Sequence, residues 1–390
     1  MSAVPMIHTE RLRDVALHAI GDKVRAGERL TAIDAVTLYR SPDLLGVGHL
    51  ADAVNRARNG DVVTFASNQH INPTNICVLR KTCVFCGYAR LPKEAGAYRY
   101  SIEQVLAEAA QNSGSMTREF HIVGGLDMQA GLAYYTEMFR ALKAAHPQVH
   151  IKALTAVEIA HIARIEKLSW TEVLVALREA GLDTLPGGGA ETFSAAVRDV
   201  IADKKLGGAD YIGVHRAAHA LGIRSNCTML YGHVESIEDR VEHLTMLRDL
   251  QDETGGFLAF IPLAYHPDDN ELGATLGRQG TSSTGFDDLR NLAVGRLFLD
   301  NFVHVKSHWI MVSPALTQIA LAFGVNDIEG TVVREKIYHA VGATTQQGMS
   351  LDELLRLIRG AGKVPAERDS FYRIIRTFEP SPVDALGVAA

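Results

Sequence analysis

The chain has 390 residues, of which 47% are hydrophobic and 22% are charged. This composition is that of a globular protein with a large core, and it excludes intrinsic disorder as the dominant state. The net charge of -6 arises from 39 Lys and Arg against 45 Asp and Glu without long runs of either sign, so the sequence carries no basic footprint for nucleic acid.

The sequence also lacks the pattern of a membrane or secreted protein. Its most apolar stretch, residues 257–265, is far shorter than the roughly 18 residues that a membrane-spanning helix needs. Residues 1–21 carry charged side chains where a signal peptide would need an unbroken apolar region. We therefore expect no membrane span and a cytoplasmic location.

Helical patterns occupy the first 60 residues, and short β-type runs then alternate with helical patterns. This alternation is typical of βα units that build a parallel sheet. The three early helices are predicted at residues 12–25, 32–39 and 47–59. The strands are predicted at residues 70–77, 119–123, 149–154, 183–186, 225–230, 257–263 and 303–311, with an eighth near 324–332.

Capping signals support the helices of this pattern. A Ser is followed three residues later by Glu or Gln, which is the capping-box signature, at Ser101 and Gln104, Ser169 and Glu172, and Ser350 and Glu353. No repeat, low-complexity tract or linker divides the chain. We predict a (β/α)8 TIM-like barrel in residues 61–345, with a helical extension in 1–60 and a second helical extension in 346–390; a doubly wound open sheet is the alternative.

Three of the four cysteines form one cluster with the spacing Cys77-x5-Cys83-x2-Cys86. Three soft thiolates on one loop suit an iron–sulfur cluster or zinc. A structural zinc site would need a fourth ligand, and only one CxxC pair is present. Cys227 stands alone in an apolar run, which is typical of packing. The loop therefore predicts a metal centre with one open coordination position.

Polar residues and glycines follow the predicted strands, at the positions that form the active-site rim of a parallel barrel. The hydrogen-bonding or cationic candidates for a carboxylate-bearing substrate are His233, His266, Lys306 and His308. Gly188 and Glu191, after the fourth strand, are further substrate-binding candidates. With 16 histidines in the chain, only the shared rim position distinguishes these from structural histidines.

The cysteine cluster and several longer motifs resemble the radical S-adenosylmethionine (radical SAM) superfamily, and in particular the aminofutalosine synthase family of menaquinone biosynthesis. The resemblance extends over about residues 26–345. It rests on residues 70–77 (HINPTNIC), 121–126 (HIVGGL), 152–159 (KALTAVEI), 185–191 (LPGGGAE), 228–233 (TMLYGH), 251–257 (QDETGGF) and 335–338 (EKIY).

The resemblance implies a 4Fe-4S cluster held by Cys77, Cys83 and Cys86, with S-adenosylmethionine as a co-substrate. It further implies that Tyr88 lies beside the adenine and that the Gly124-Gly125 backbone approaches the methionyl amine. Glu158 is expected to accept hydrogen bonds from ribose hydroxyls, with a helix first-turn carboxylate as the alternative. The sequence departs from the superfamily in the cysteine spacing, which is usually x3 and then x2; position 79 is Leu.

The implied reaction is addition of the 5′-deoxyadenosyl radical to the double bond of 3-[(1-carboxyvinyl)oxy]benzoate, followed by rearrangement and decarboxylation to aminofutalosine. The implied partners are a small substrate with two carboxylates and a low-potential electron donor such as flavodoxin or ferredoxin. The alternatives are a hydrogen-abstracting relative, of the dehypoxanthine futalosine cyclase or deazaflavin synthase type, and a zinc-dependent barrel hydrolase or zinc-binding scaffold. No HExxH motif supports the hydrolase. The radical chemistry needs an enclosed barrel mouth, for which we expect a lid of terminal helices.

Overall fold

Parallel strands close into a barrel in the computed structural model of the chain, which describes residue 4 and residues 7–111, 117–278 and 283–378. The strands are β1 (Val62–Phe65), β2 (Asn68–Ile71), β3 (Glu119–Ile122), β4 (His150–Ala153), β5 (Ser225–Tyr231), β6 (Phe257–Ala264), β7 (His304–Ser307), β8 (Asp327–Ile328), β9 (Val364–Arg368) and β10 (Ile374–Thr377).

Helices surround this barrel and extend it at both ends of the chain. They are α1 (Ala16–Ala26), α2 (Ala32–Arg40), α3 (Leu44–Asn59), α4 (Ile102–Ala110), α5 (Leu132–Ala145), α6 (Ala156–Glu166), α7 (Trp170–Ala180), α8 (Ala195–Ile201), α9 (Gly208–Ala220), α10 (Ile237–Thr254), α11 (Glu271–Leu276), α12 (Gly285–Phe298), α13 (Trp309–Val312), α14 (Pro314–Ala320) and α15 (Leu351–Gly360), with short 3-10 helices at Thr9–Arg11 and His339–Val341. Across the described ranges, every helix is too short or too polar to cross a membrane.

The barrel has eight strand positions, as the sequence predicts. β1 and β2 are two halves of the first strand: β1 pairs with β8, and β2 pairs with β3, which pairs with β4. Two bridges at Thr184 and Leu185 supply the fourth position and join β4 to β5. β5 to β8 complete the ring in parallel order. The predicted barrel is therefore confirmed over the open sheet.

The predictions that depend on residues close together in the sequence are confirmed. All three predicted capping boxes are present, at the starts of α4, α7 and α15. Two strand predictions run too far. The first strand, predicted at 70–77, also begins too late in the prediction: it starts with β1 at Val62 and ends with β2 at Ile71, because residues 74–90 leave the sheet as a loop that makes only isolated bridges. The predicted strand at 303–311 is β7 followed by the short helix α13.

The described parts of the two terminal extensions lie on the outside of the barrel and at the end opposite the cavity, so the expected helical lid is not found among them. The N-terminal helices α2 and α3 pack against α10 and α12 on the outside of the barrel. The prediction that residues 346–390 are helical is wrong for residues 364–377: after α15, β9 pairs in parallel with β1 and β10 returns antiparallel to it. Phe371 and Tyr372, in the turn between them, pack on the rings of His150 and His304 at the first residues of β4 and β7. The C-terminal hairpin therefore closes the end of the barrel opposite the cysteines. The last residues, 379–390, lie outside the described ranges.

Candidate active site

A cavity of about 290 Å³ opens at the carboxyl ends of the strands. The active-site end of a parallel barrel lies here. All but one of the predicted site residues contribute to its wall. These are Cys77, Cys83, Cys86, Tyr88, Gly124, Gly125, Glu158, Gly188, Glu191, His266, Lys306 and His308.

Backbone hydrogen bonds close the cysteine loop on itself and tie it to the segments that follow β3 and α8. The Cys77 N–H donates to the Arg90 carbonyl at 2.9 Å, and the Val78 N–H donates to the Leu126 carbonyl at 3.0 Å. Further along, Cys83 forms a bridge with Ala202. These contacts fix both ends of the loop, so the three thiols face one cavity.

The unusual x5 spacing is absorbed by a tight turn. The N–H groups of Thr82 and Cys83 both donate to the Leu79 carbonyl at 2.9 Å. Leu79, at the position of the usual first cysteine, is buried and packs in the hydrophobic core. The two extra residues thus form one turn, and such a small loop extension costs only a few tenths of a kcal/mol in closure entropy.

An iron–sulfur cluster binds cysteines as thiolates, and the surroundings of these thiols affect how readily they ionise. Burial raises the pKa of Cys77, and the neighbouring Cys86 raises it further. Burial also raises the pKa of Cys83 to about 12, while the Lys205 ammonium acts in the opposite direction. Lys205 lines the cavity and lies over the Phe85 ring at 5.3 Å. Lys205, which also pairs with Glu191, is thus a cation close to these thiols, and its charge favours their thiolate form.

Gly124 and Gly125 lie so close to the backbone of residues 74–76 that a side chain at either position would clash with it. A Cβ at Gly125 would lie 2.2 Å from the Ile76 carbonyl oxygen, and one at Gly124 would lie 2.8 Å from that of Thr74. Both contacts are with the segment that leads into Cys77. The glycines therefore position the cysteine loop, whatever else they bind.

Glu158 caps a helix and also reaches the glycine pair. It forms a capping box with Thr155 at the start of α6, and its other carboxylate oxygen accepts the Gly124 N–H at 2.9 Å. Burial raises the Glu158 pKa to about 7, although these hydrogen bonds oppose the shift. The helix first-turn role is thus present, and a ribose role stays a prediction.

Two tyrosines form part of the cavity wall. Tyr88 is buried, and its hydroxyl lies 2.6 Å from that of Tyr98. Tyr338 belongs to the predicted 335–338 motif, in which the Glu335 carboxylate accepts the Tyr338 N–H at 2.9 Å and pairs with His339 at 2.8 Å. Glu335 thus folds the loop that places Tyr338 in the cavity.

Glu191 forms a buried ion pair with Lys205, and Gly188 is a half-buried part of the same wall. The prediction that His233 shares this rim is wrong. Its Nε2 donates to the Leu230 carbonyl at 3.0 Å, and its Nδ1 lies 3.1 Å from Glu235. Gly232, at φ 88°, turns the chain here, so the His233 ring is buried beneath the turn and does not line the cavity.

His266, Lys306 and His308 do line the cavity, but two of them already have protein partners. His266 donates to the Met311 carbonyl at 3.1 Å. Lys306 lies 3.1 Å from Glu329 and 3.5 Å from Asp327. Burial opposes the charge of Lys306, but these carboxylates outweigh burial and raise its pKa. A substrate carboxylate would therefore have to share Lys306 with two acidic side chains.

Sequence reasoning assigned no role to several polar residues inside the barrel. His70, His121 and Lys152 stand side by side, because they are register partners on β2, β3 and β4. The sequence does contain a sign of these interior polar residues. Alternate residues of a barrel strand face the interior, so polar residues spaced two apart, such as Asp327 and Glu329, indicate a polar interior. We call the following set the cavity floor: His70, His121, Lys152, Lys306, His308 and Glu329.

Comparisons with known proteins agree with this geometry. Residues 71–247 match the Radical SAM superfamily, and residues 254–380 match the CofH/MqnC C-terminal region. In overall structure the chain is similar to methylornithine synthase, with a TM-score of 0.71 over 89% of this chain and 97% of that one, at 17% identity.

Full-length relatives define the family more closely. The aminodeoxyfutalosine synthase of Thermus thermophilus is 44% identical over 94% of this chain and 98% of its own, and that of Streptomyces coelicolor is 43% identical over 92% and 94%. The cyclic dehypoxanthine futalosine synthase of Streptomyces coelicolor is 37% identical over 91% and 88%. The chain therefore belongs to the radical SAM superfamily and, within it, to the family of the aminodeoxyfutalosine synthases.

Proposed function

We propose that this chain joins the 5′-deoxyadenosyl group of S-adenosylmethionine to 3-[(1-carboxyvinyl)oxy]benzoate, with rearrangement and decarboxylation, to give 6-amino-6-deoxyfutalosine. The observation that carries the proposal is the convergence of Cys77, Cys83 and Cys86 on one barrel cavity, in a chain 44% identical to an aminodeoxyfutalosine synthase. The CofH/MqnC C-terminal region is also present.

The bound 4Fe-4S cluster would supply the electron that cleaves S-adenosylmethionine to the adenosyl radical. Cys77, Cys83 and Cys86 would hold it and leave one iron open to the methionyl group. Tyr88, Gly124, Gly125 and Glu158 surround the adjoining part of the cavity. We assign them to the nucleoside and the methionyl group.

The cavity is amphipathic, which suits an aromatic dicarboxylate. The floor supplies polar groups, whereas Leu230, Ile261 and Leu263 supply an apolar wall. An apolar wall orients the ring and excludes water, which would otherwise compete for the radical. Gly188, Glu191 and His266 are the remaining substrate candidates, beside Lys306 and His308.

A reductant is also required, and we propose a low-potential donor of the flavodoxin or ferredoxin type. All four cysteines are free thiols. Free thiols and a reducible cluster fit a reducing compartment, so we infer that the protein works in the cytoplasm.

The fate of the adenosyl group tests the proposal. Radical addition builds it into the product, whereas hydrogen abstraction releases it as 5′-deoxyadenosine. With reduced enzyme, adenine-labelled S-adenosylmethionine and the enolpyruvyl benzoate, most of the label should appear in a nucleoside that also carries the benzoate ring. Label released almost entirely as 5′-deoxyadenosine at saturating acceptor would overturn the assignment in favour of the hydrogen-abstracting relatives.

A further inference from the structure

The cavity floor contains ring nitrogens that have no partner in the protein. His70 Nε2 and His308 Nδ1 are both buried and accept or donate no hydrogen bond. Both rings line the cavity, and His308 is only 8% exposed. A buried polar atom without a partner is unfavourable, so both rings would be stabilised by a polar group bound beside them in the cavity.

The charges around these rings already cancel. Lys152 pairs with Glu119 at 2.7 Å, and Lys306 pairs with Glu329 at 3.1 Å. Asp327, below Lys306, is held by Arg368 at 2.7 Å. Three cations therefore face three carboxylates, and a fourth carboxylate, Glu335, pairs with His339 at 2.8 Å. None of these cations is left over for a substrate.

An added carboxylate would leave this region with an uncompensated negative charge. Burying such a charge is far more costly than burying a neutral group. The missing positive charge has a ready source, because a neutral imidazole becomes a cation when it takes a proton.

We propose that the ring carboxylate of the substrate binds on the cavity floor against His70 and His308, and that it binds together with one proton taken up by one of these imidazoles. This rests on the proposed function, which supplies the dicarboxylate. The orientation follows from the barrel: the vinyl carbon must face the cysteine loop at the mouth. His70 lies within β2, before that loop, so the ring end of the substrate extends inward.

Burial keeps both rings neutral when the floor is empty. It lowers the His308 pKa to about 4 and also lowers that of His70, although Glu329 and Glu335 act in the opposite direction. His121, stacked on His70 with ring centroids 4.6 Å apart, has a pKa lowered by burial to about 3. The other titratable groups that face these rings are Glu119, Lys152, Lys306 and Tyr338. A carboxylate placed against a ring would raise that ring's pKa and draw in the proton.

Calorimetry on the holoenzyme measures this proton directly. The oxidised enzyme with S-adenosylmethionine, but without reductant, is titrated at pH 7 with 3-[(1-carboxyvinyl)oxy]benzoate in phosphate and in Tris. The buffer supplies any proton that the complex takes up, and phosphate and Tris release a proton with different enthalpies. The difference between the binding enthalpies in the two buffers is therefore proportional to the number of protons taken up. We expect about one proton for wild type.

Variants assign the proton to a residue. His308→Gln and His70→Gln keep the size and a hydrogen-bond donor but cannot become cations. At least one should lose the proton uptake and, because the charge is lost while a donor remains, weaken binding about tenfold, which corresponds to about 1.4 kcal/mol. His49→Gln, on the exposed side of α3, is the matched control and should bind like wild type.

A second ligand tests the same inference on the wild-type protein, so the result does not depend on whether the variants fold. The compound with its ring carboxylate as a methyl ester should bind wild type without proton uptake. Equal proton uptake with acid and ester, no uptake with the acid, or unchanged uptake in both Gln variants would each overturn the inference while leaving the labelled product of the synthase reaction intact. Failure of wild type to bind the acid, together with absence of that labelled product, would instead overturn the proposed function and the inference with it.

Discussion

Arg368 anchors the C-terminal hairpin inside the barrel, and its replacement by Met tests this anchor. The Nε and one terminal nitrogen of Arg368 donate to the two carboxylate oxygens of Asp327 at 2.7 and 3.0 Å. Both side chains are buried, at 1% and 0% exposure. Arg368→Met keeps the apolar stem and removes the charge, so Asp327 loses its bidentate partner.

The cost can be estimated from this geometry. Removing one partner of a buried ion pair destabilises a protein by about 3–5 kcal/mol, because the remaining charge is left uncompensated. Lys306, 3.5 Å from the same carboxylate, still compensates in part. We therefore expect about 3 kcal/mol, which at about 2 °C per kcal/mol for a large domain lowers Tm by about 6 °C.

The effect depends on pH with a definite sign. Burial alone would raise the Asp327 pKa, but Arg368 and Lys306 outweigh burial and hold it below its ordinary value. A carboxyl group whose pKa is lowered by folding stabilises the protein above its unfolded pKa of about 3.9, and this contribution is lost as the pH falls through the folded value. The difference in Tm between wild type and Arg368→Met should thus be full at pH 7 and shrink below about pH 4.

Thermal unfolding at one scan rate, followed by circular dichroism, provides the assay. Arg373→Met is the matched control, because Arg373 lies in the same hairpin, is 75% exposed and pairs with Asp369 at 2.6 Å. An exposed pair of this kind contributes about 0–1 kcal/mol. If both variants melt at the same temperature as wild type, the hairpin is not anchored by this buried pair.

The other predictions concern the cysteine loop. Cys77→Ala, Cys83→Ala and Cys86→Ala should each lose the cluster, as measured by bound iron and visible absorbance after anaerobic reconstitution, whereas Cys227→Ala, buried on β5 outside the cavity wall, should keep it. A full cluster in Cys77→Ala, or stoichiometric zinc without visible absorbance in wild type, would contradict the ligand assignment. Gly125→Ala places a Cβ 2.2 Å from the Ile76 carbonyl oxygen and should cost about 1–3 kcal/mol and reduce cluster loading. Gly207→Ala, where no atom lies within 4 Å of the added Cβ, is the control; equal loading in the two variants would show that the loop is free to shift.

Much of the architecture depends on short-range chemistry and was therefore predictable. Capping boxes such as Ser101 with Gln104 involve residues three positions apart. The cysteines of the cluster all lie within one ten-residue loop, and the β-type runs alternate with helical patterns along the whole chain. These signals predicted the barrel and the metal-binding loop, whereas the family was implied by the resemblance of longer sequence motifs.

The tertiary structure decided which polar groups the cavity contains and which of them are available. Lys306 was predicted as a candidate for binding a substrate carboxylate, but Asp327 on β8 and Glu329 just after it already compensate its charge. His233 was predicted at the rim, but the turn at Gly232 buries its ring elsewhere. The pairing of β9 with β1, some 300 residues apart, has no local signature. A buried charge is stable only beside partners that other strands supply, and the sequence alone does not say which strands meet.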